Sequence, residues 1–146
     1  GLTLTNGNVI DYMAIEQAIL DAGRDFDVQY IGADRWGLEF LRQKLGDSGA
    51  MIVEFGQGFA SMSPAIRETE RLILGGLLSH GGNPVLRWAI QNVVSVTDPA
   101  DNIKFSKAKS SEKIDPAIAM VMAVGCAMTG HTSVGTFYED HALEMA

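Results

Sequence analysis

One cysteine, Cys126, leaves no intrachain disulfide and no thiol set for a zinc site. Its neighbours, Ala123-Val124-Gly125 and Ala127-Met128, are apolar, so a buried, unreactive thiol is expected, compatible with a reducing compartment. No charged leader precedes an apolar core and a cleavage site, so no secretion signal is expected. The apolar run around residues 116–128 is too short to span a bilayer, which predicts a soluble protein without a membrane partner. Basic residues are also scarce. A formal net charge of −7 argues against a broadly cationic nucleic-acid surface, though not against an enzyme whose acidic site is offset by bound metal. Repeats, low-complexity blocks and an internal linker are absent. Gly56-Gln57-Gly58 lacks the Gly-Lys-Ser/Thr ending of a nucleotide cradle and reads as turn chemistry.

What is present is one domain's worth of chain, 146 residues with 47% hydrophobic content. Asp11 predicts the cap of a helix with Ile15, Ala18, Ile19 and Ala22 on one face and Gly23 as its stop. Residues 27–33 read as a strand. Leu38, Leu41 and Leu45 mark the buried stripe of a second helix ended by Gly46. Ala50–Phe55 is a nearly continuous apolar strand, the pattern of a central parallel strand covered on both faces. Short links between these elements imply right-handed crossovers. Ser63-Pro64 opens a helix to about Leu78, and Asn83-Pro84 opens another containing Trp88. Residues 93–96 and 103–105 flank a turn and predict a hairpin. The last helix, 115–128, is apolar nearly all round and should be sandwiched in the interior, with a loose tail over 129–146.

Two acids stand where chemistry could gather. Asp34 ends the apolar run Val28–Ala33, and Asp115 opens the final helix ahead of Pro116. An acid at a strand mouth and another at a helix start can meet over one cleft, offering the hard oxygens that Mg²⁺ or Mn²⁺ takes. Each acid also has a structural reading, as the N-cap of the helix that follows it. The two roles are compatible, because a capping carboxylate keeps lone pairs free. Lys107, Lys109 and Lys113 precede Asp115 as a cationic strip, and Arg35 adjoins Asp34. All four are candidates for a phosphate backbone, against the reading of a solvated lysine-rich loop. His80 and Asn83 flank Gly81-Gly82 and either support the site or close and cap helices. Trp36 and Trp88 are expected in the core rather than as base-stacking platforms. His131 and His141 carry no signal.

Four stretches in order carry a resemblance: Ile31–Gly37, Glu54–Ser63, His80–Trp88 with Asn92, and Lys107–Ala119. Together, over roughly residues 1–128, they resemble the nuclease domain of the large terminase subunit of tailed phages and prophages. The resemblance implies an α/β, ribonuclease-H-like nuclease fold, incomplete here: a mixed sheet flanked by helices, with a C-terminal hairpin and helix. It further implies a two-metal Mg²⁺ or Mn²⁺ site that cuts concatemeric double-stranded DNA during packaging in the host bacterial cytoplasm. The family's second acid, at the end of a later strand, is matched by Asp34. Its third, at the start of the C-terminal helix, is matched by Asp115, although Pro116 stands where the family usually has glycine. The first acid belongs to an opening strand not found here, and Asp11 and Asp25 do not replace it. The implied partners are DNA, the upstream ATPase and nuclease portion of the terminase, the small terminase subunit and the portal, with a homo-oligomer as a further option. Two other readings stand beside this one: a non-catalytic interaction fragment of a split or decayed terminase, and a ribonuclease-H-like junction resolvase.

Overall fold

Short polar side chains ahead of apolar runs set most of the helix starts. The computed structural model describes residues 4–5, 10–45 and 51–130. Its elements run α1 (Tyr12–Asp25), β1 (Tyr30–Ala33), α2 (Arg35–Leu45), β2 (Met51–Glu54), α3 (Phe59–Leu74), α4 (Pro84–Gln91), β3 (Ser95–Thr97), β4 (Ile103–Phe105) and α5 (Asp115–Gly130). Asp11 Oδ1 accepts the N–H groups of Met13 and Ala14 and so starts α1. Asn83 Oδ1 does the same for Val85 and Leu86 of α4, with Pro84 at the first helical position as expected.

β1 and β2 pair in parallel, Tyr30 opposite Met51 through Ala33 opposite Glu54, with α2 as the connection between them. Alternation divides β1 between two faces. Ala33 joins Leu38, Leu41 and Leu45 of α2, with Ile31, Ile52 and Ile19 packed against them. Tyr30 and Gly32 face α5, whose residues Gly130 and Cys126 lie against them. The second core is built by Met62, Ala65 and Ile66 of α3 with Ile118, Val121 and Met122 of α5. Ile114, just before α5, belongs to it, and Phe55, Val93, Ile103 and Phe105 close it. Full burial of Leu45, Met62, Ile114 and Val121 contributes about 1.5–3 kcal/mol each.

Several sequence expectations need correction. The strands do not form one mixed sheet: among the described residues, β1–β2 is a parallel pair and β3–β4 a separate antiparallel pair. The hairpin instead packs through Ile103 and Phe105 on the α3–α5 core, and the Ser63 hydroxyl accepts the Ile103 N–H at 3.1 Å. β2 has one partner strand among the described residues and is not central, with Met51 48% exposed. β1 begins at Tyr30 rather than at residue 27. α1 passes through Gly23 and ends at Asp25, since one glycine weakens a helix without breaking it.

α3 starts at Phe59, not at Ser63, because the Gly58 carbonyl already accepts the Met62 N–H; Pro64 then lies inside the helix. It stops at Leu74 rather than Leu78. Gly76, at φ +65°, donates to Ile73, and Leu77 donates to Leu72, the bond pair that closes a helix through a left-handed residue. α5 runs to Gly130 and is not sheathed all round: Ala119, Ala123 and Ala127 are exposed beside β1. The expected stop at Gly46 and the tail beyond residue 130 lie outside the described residues.

α5 approaches β1 and Phe55 closely because glycine stands at the crossing points. A β-carbon on Gly32 would sit 2.7 Å from Cys126 Sγ, and one on Gly125 would run into the Phe55 ring. Gly125→Ala is expected to destabilise the chain by about 1–3 kcal/mol. Gly23→Ala, where nothing lies within 4 Å, should stabilise it by about 0.5–1 kcal/mol. Urea unfolding of the two variants checks both the sign and the contrast.

Candidate functional site

Asp34 follows β1 directly, and its Oδ1 accepts the Gly37 N–H at 2.8 Å while its carbonyl accepts from Leu38. It is therefore the N-cap of α2, the structural role read from the sequence. Asp115 is different. The Ile114 carbonyl already accepts the Ile118 N–H, so Asp115 is the first residue inside α5 rather than its cap. Its carboxylate favours the helix start by charge and by a bond from its own backbone N–H, and Oδ1 is held by Lys107 Nζ at 2.6 Å.

α5 brings the two acids to one end of the layer. Gly130 lies at Tyr30, and Met122 and Cys126 lie at Gly32, so α5 runs antiparallel to β1. From that shared level Asp34 is about 7 Å further along the strand, and Asp115 is roughly 10 to 16 Å further along the helix in the same direction. The bonds from Gly37 and Lys107 both fall on Oδ1 of their carboxylates. On the reading proposed below, these carboxylates would be the hard oxygens offered to a hydrated divalent ion. No group of three His, Cys, Asp or Glu side chains converges among the described residues, so the acids here fall short of a two-metal set.

The cations sort themselves around Asp115. The hydrogen bond from Lys107 is the largest cause holding the Asp115 carboxyl below the usual carboxylate range. Partial burial opposes it, and the charges of Lys107 and Lys113 and a backbone hydrogen bond assist it. Lys109 is exposed in the turn after β4, and Arg35 is exposed in the first turn of α2. His80 is exposed, with its carbonyl accepting from Asn83, and the Asn83 side chain is committed to capping α4.

The expectation for the tryptophans fails. Trp36 is 90% exposed, because it lies two residues from Leu38 and so on the opposite face of α2, and Trp88 is 42% exposed. Sequence reasoning also passed over two groups. Lys104 stacks its ammonium 4.6 Å from the Phe59 ring centroid. Glu54 ends β2 level with Ala33, an acid at the same end of the sheet as Asp34, and a strand ending in an acid was the available signal.

Comparison with known proteins bears on the whole arrangement. The family model described as terminase large subunit, endonuclease domain, matches residues 2–131. The large terminase subunit of Enterobacteria phage HK97 is 38% identical over 141 residues, covering 95% of this chain and 28% of that protein. Protein YmfN of Escherichia coli K12 is 36% identical over 129 residues, covering 87% of this chain and 28% of that protein. The crystal structure of the HK97 bacteriophage large terminase superposes with a TM-score of 0.76 at 39% identity, covering 84% of this chain and 26% of that one. The chain thus spans little more than a quarter of the relatives it matches.

The Lys107–Asp115 pair sets a pH dependence. A carboxyl whose folded value is depressed contributes its full stabilisation above the ordinary carboxylate value and loses it as pH falls through the depressed one. NMR titration of the Asp115 carboxyl should give a midpoint below that of an unpaired aspartate. Lys107→Met should move that midpoint upward.

Proposed function

Because the chain belongs to the terminase large-subunit endonuclease family, we propose that it is part of a metal-dependent endonuclease that cuts concatemeric double-stranded DNA during phage genome packaging. The observation that supports this most is the delivery of Asp34 and Asp115 to one end of the β1–α5 layer, with lysines beside one and Arg35 beside the other. Asp34 and Asp115 would hold Mg²⁺ or Mn²⁺, which supplies an activated water and charge for the leaving oxygen. The chain's own contribution is positioning. The cap bond to Gly37 fixes the Asp34 carboxylate at the strand end. Ile114, 1% exposed, anchors the start of α5 so that Asp115 cannot swing away with its backbone. Lys107, Lys109, Lys113 and Arg35 supply local positive charge for a phosphodiester on a protein whose net charge is −7. Family membership favours this reading over the junction resolvase.

A ribonuclease-H-like sheet would be completed by the rest of the longer protein. The Gln29 and Ala33 carbonyls accept from Met51 and Phe55, so alternation turns the backbone groups of Tyr30 and Gly32 away from β2. That outer edge lies beside a groove of 280 Å³ lined by Tyr30, Gly32, Met122 and the exposed alanines of α5. A strand from the upstream ATPase and nuclease portion, carrying the remaining acid, would cover both. The small terminase subunit, the portal and the host bacterial cytoplasm complete the setting. A second reading, a non-catalytic interaction fragment, is favoured by one observation, the lack of a three-acid group among the described residues.

Asparagine caps a helix as well as aspartate does. In the complete terminase Asp34→Asn should therefore leave stability within a few tenths of a kcal/mol, whereas Asp34→Ala costs about 1 kcal/mol. Both, like Asp115→Asn, should lower Mn²⁺-dependent cleavage of a linear duplex by at least about 100-fold if each carboxylate binds metal. Wild-type cleavage by Asp34→Asn or Asp115→Asn would refute the catalytic assignment and leave the interaction reading.

A further inference from the structure

Lys107 and Asp115 were read from the sequence as a phosphate contact and a metal ligand, yet the structure binds them to each other at 2.6 Å. Their backbones are fixed by separate means. Lys107 opens a turn in which the Ser106 carbonyl accepts both the N–H and the hydroxyl of Ser110. The Ser110 hydroxyl accepts the Val94 N–H, and Ser111 Oγ donates to Asn92 Oδ1, tying the turn to α4 and β3. At the other end Ile114 is buried. The two side chains, in contrast, are 54% and 60% exposed.

Such a pair can open without moving the fold. Exposed ion pairs are weakly held, and a lysine stem swings freely between acceptors. Two ligands compete with it from opposite sides. A divalent cation offers Asp115 more charge than an ammonium does, and a phosphodiester oxygen offers Lys107 another anion. Lys113 acts on Asp115 through charge alone, without a bond, so it forms no equivalent contact to break.

We propose that Lys107 is a removable counter-ion of Asp115: its ammonium occupies Oδ1 in the free protein and passes to a DNA phosphate when a divalent cation takes its place. Metal and DNA then reinforce each other's binding by the same factor, as linkage requires. A lysine that merely shapes the turn would not couple the two ligands. This inference rests on Asp115 being a metal ligand, as proposed above.

The test is Mn²⁺ titration, followed by electron paramagnetic resonance, on the complete nucleotide-free terminase and its Lys107→Met, Lys113→Met and Asp115→Asn variants, with and without a short duplex. Circular dichroism confirms that each variant is folded. Without DNA, Lys107→Met should bind Mn²⁺ roughly two- to fivefold more tightly than wild type, the range an exposed pair allows. The gain in Lys113→Met should be smaller. The duplex should tighten Mn²⁺ binding in wild type and do so less in Lys107→Met, whose DNA affinity should also show a salt slope shallower by about one. Unchanged or weaker Mn²⁺ affinity in Lys107→Met, or an equal gain in Lys113→Met, overturns the exchange. If Asp115→Asn then still loses the metal, the site assignment survives and only the exchange fails. If Asp115→Asn binds Mn²⁺ like wild type, or no form binds it, the assignment and the exchange fall together.

Discussion

The close seating of α5 on β1 and on Phe55, just after β2, is the constraint from which the rest follows. Gly32 weakens a strand and Gly125 costs a helix interior about 1 kcal/mol relative to alanine, yet both stand where a side chain would strike Cys126 or Phe55. The gain is proximity. With the backbones close, Val121 and Met122 of α5 reach Met62, Ala65 and Ile66 of α3 while Cys126 still touches β1. The antiparallel course of α5 then decides which ends coincide. Its last residue meets the start of the strand, so its first residue, an acid, arrives at the end where the strand terminates in another. The candidate site is a consequence of packing before it is a matter of chemistry.

Local features of this arrangement were legible in the sequence because local physics settles them. The Leu38, Leu41 and Leu45 spacing can bury only one face of α2, and it does. Asn83-Pro84 is a helix start, and the turn Asp98–Asn102 is self-contained. There the Asp98 side chain accepts the Ala100 and Asn102 N–H groups and the Asn102 amide, and Asp101 takes φ 63°. The single cysteine in its apolar run is buried as expected, and burial pushes its thiol up, which leaves it unreactive. Asp34 was legible as a cap for the same reason.

Nonlocal features were not legible. Met51-Ile52-Val53 has the composition of a central strand, but composition cannot say whether a neighbour lies on each edge. Trp36 is large and apolar, but its face of α2 is set by the leucines, and among the described residues nothing covers it. The Lys107–Asp115 pair joins residues eight apart across a turn, a separation that no helical or strand period connects. Asp115 was misjudged as a cap because Asp-Pro is a strong start signal, while the helix hydrogen bonds begin one residue earlier, at Ile114.

An acidic chain proposed to handle DNA has to keep its few cations from being neutralised by its own carboxylates. Arg71 is bound in an exposed two-point pair with Glu68, and Arg24 pairs with Asp21. Arg67 donates to the Asp101 carbonyl and Lys104 lies over Phe59, so both serve the fold. The cations read as phosphate contacts are placed differently. Lys109, Lys113 and Arg35 make no ion pair with an acid among the described residues, and Lys107 is paired only with the acid that a metal would claim. With a net charge of −7 this chain adds no long-range attraction of its own for DNA, so on the proposed reading its cations would act within about a Debye length, near 10 Å at 0.1 M salt. At that range one lysine changing partner alters the local field by a full charge. On the proposed reading, the acid end of the β1–α5 layer would be the place where metal and phosphate most directly sense each other.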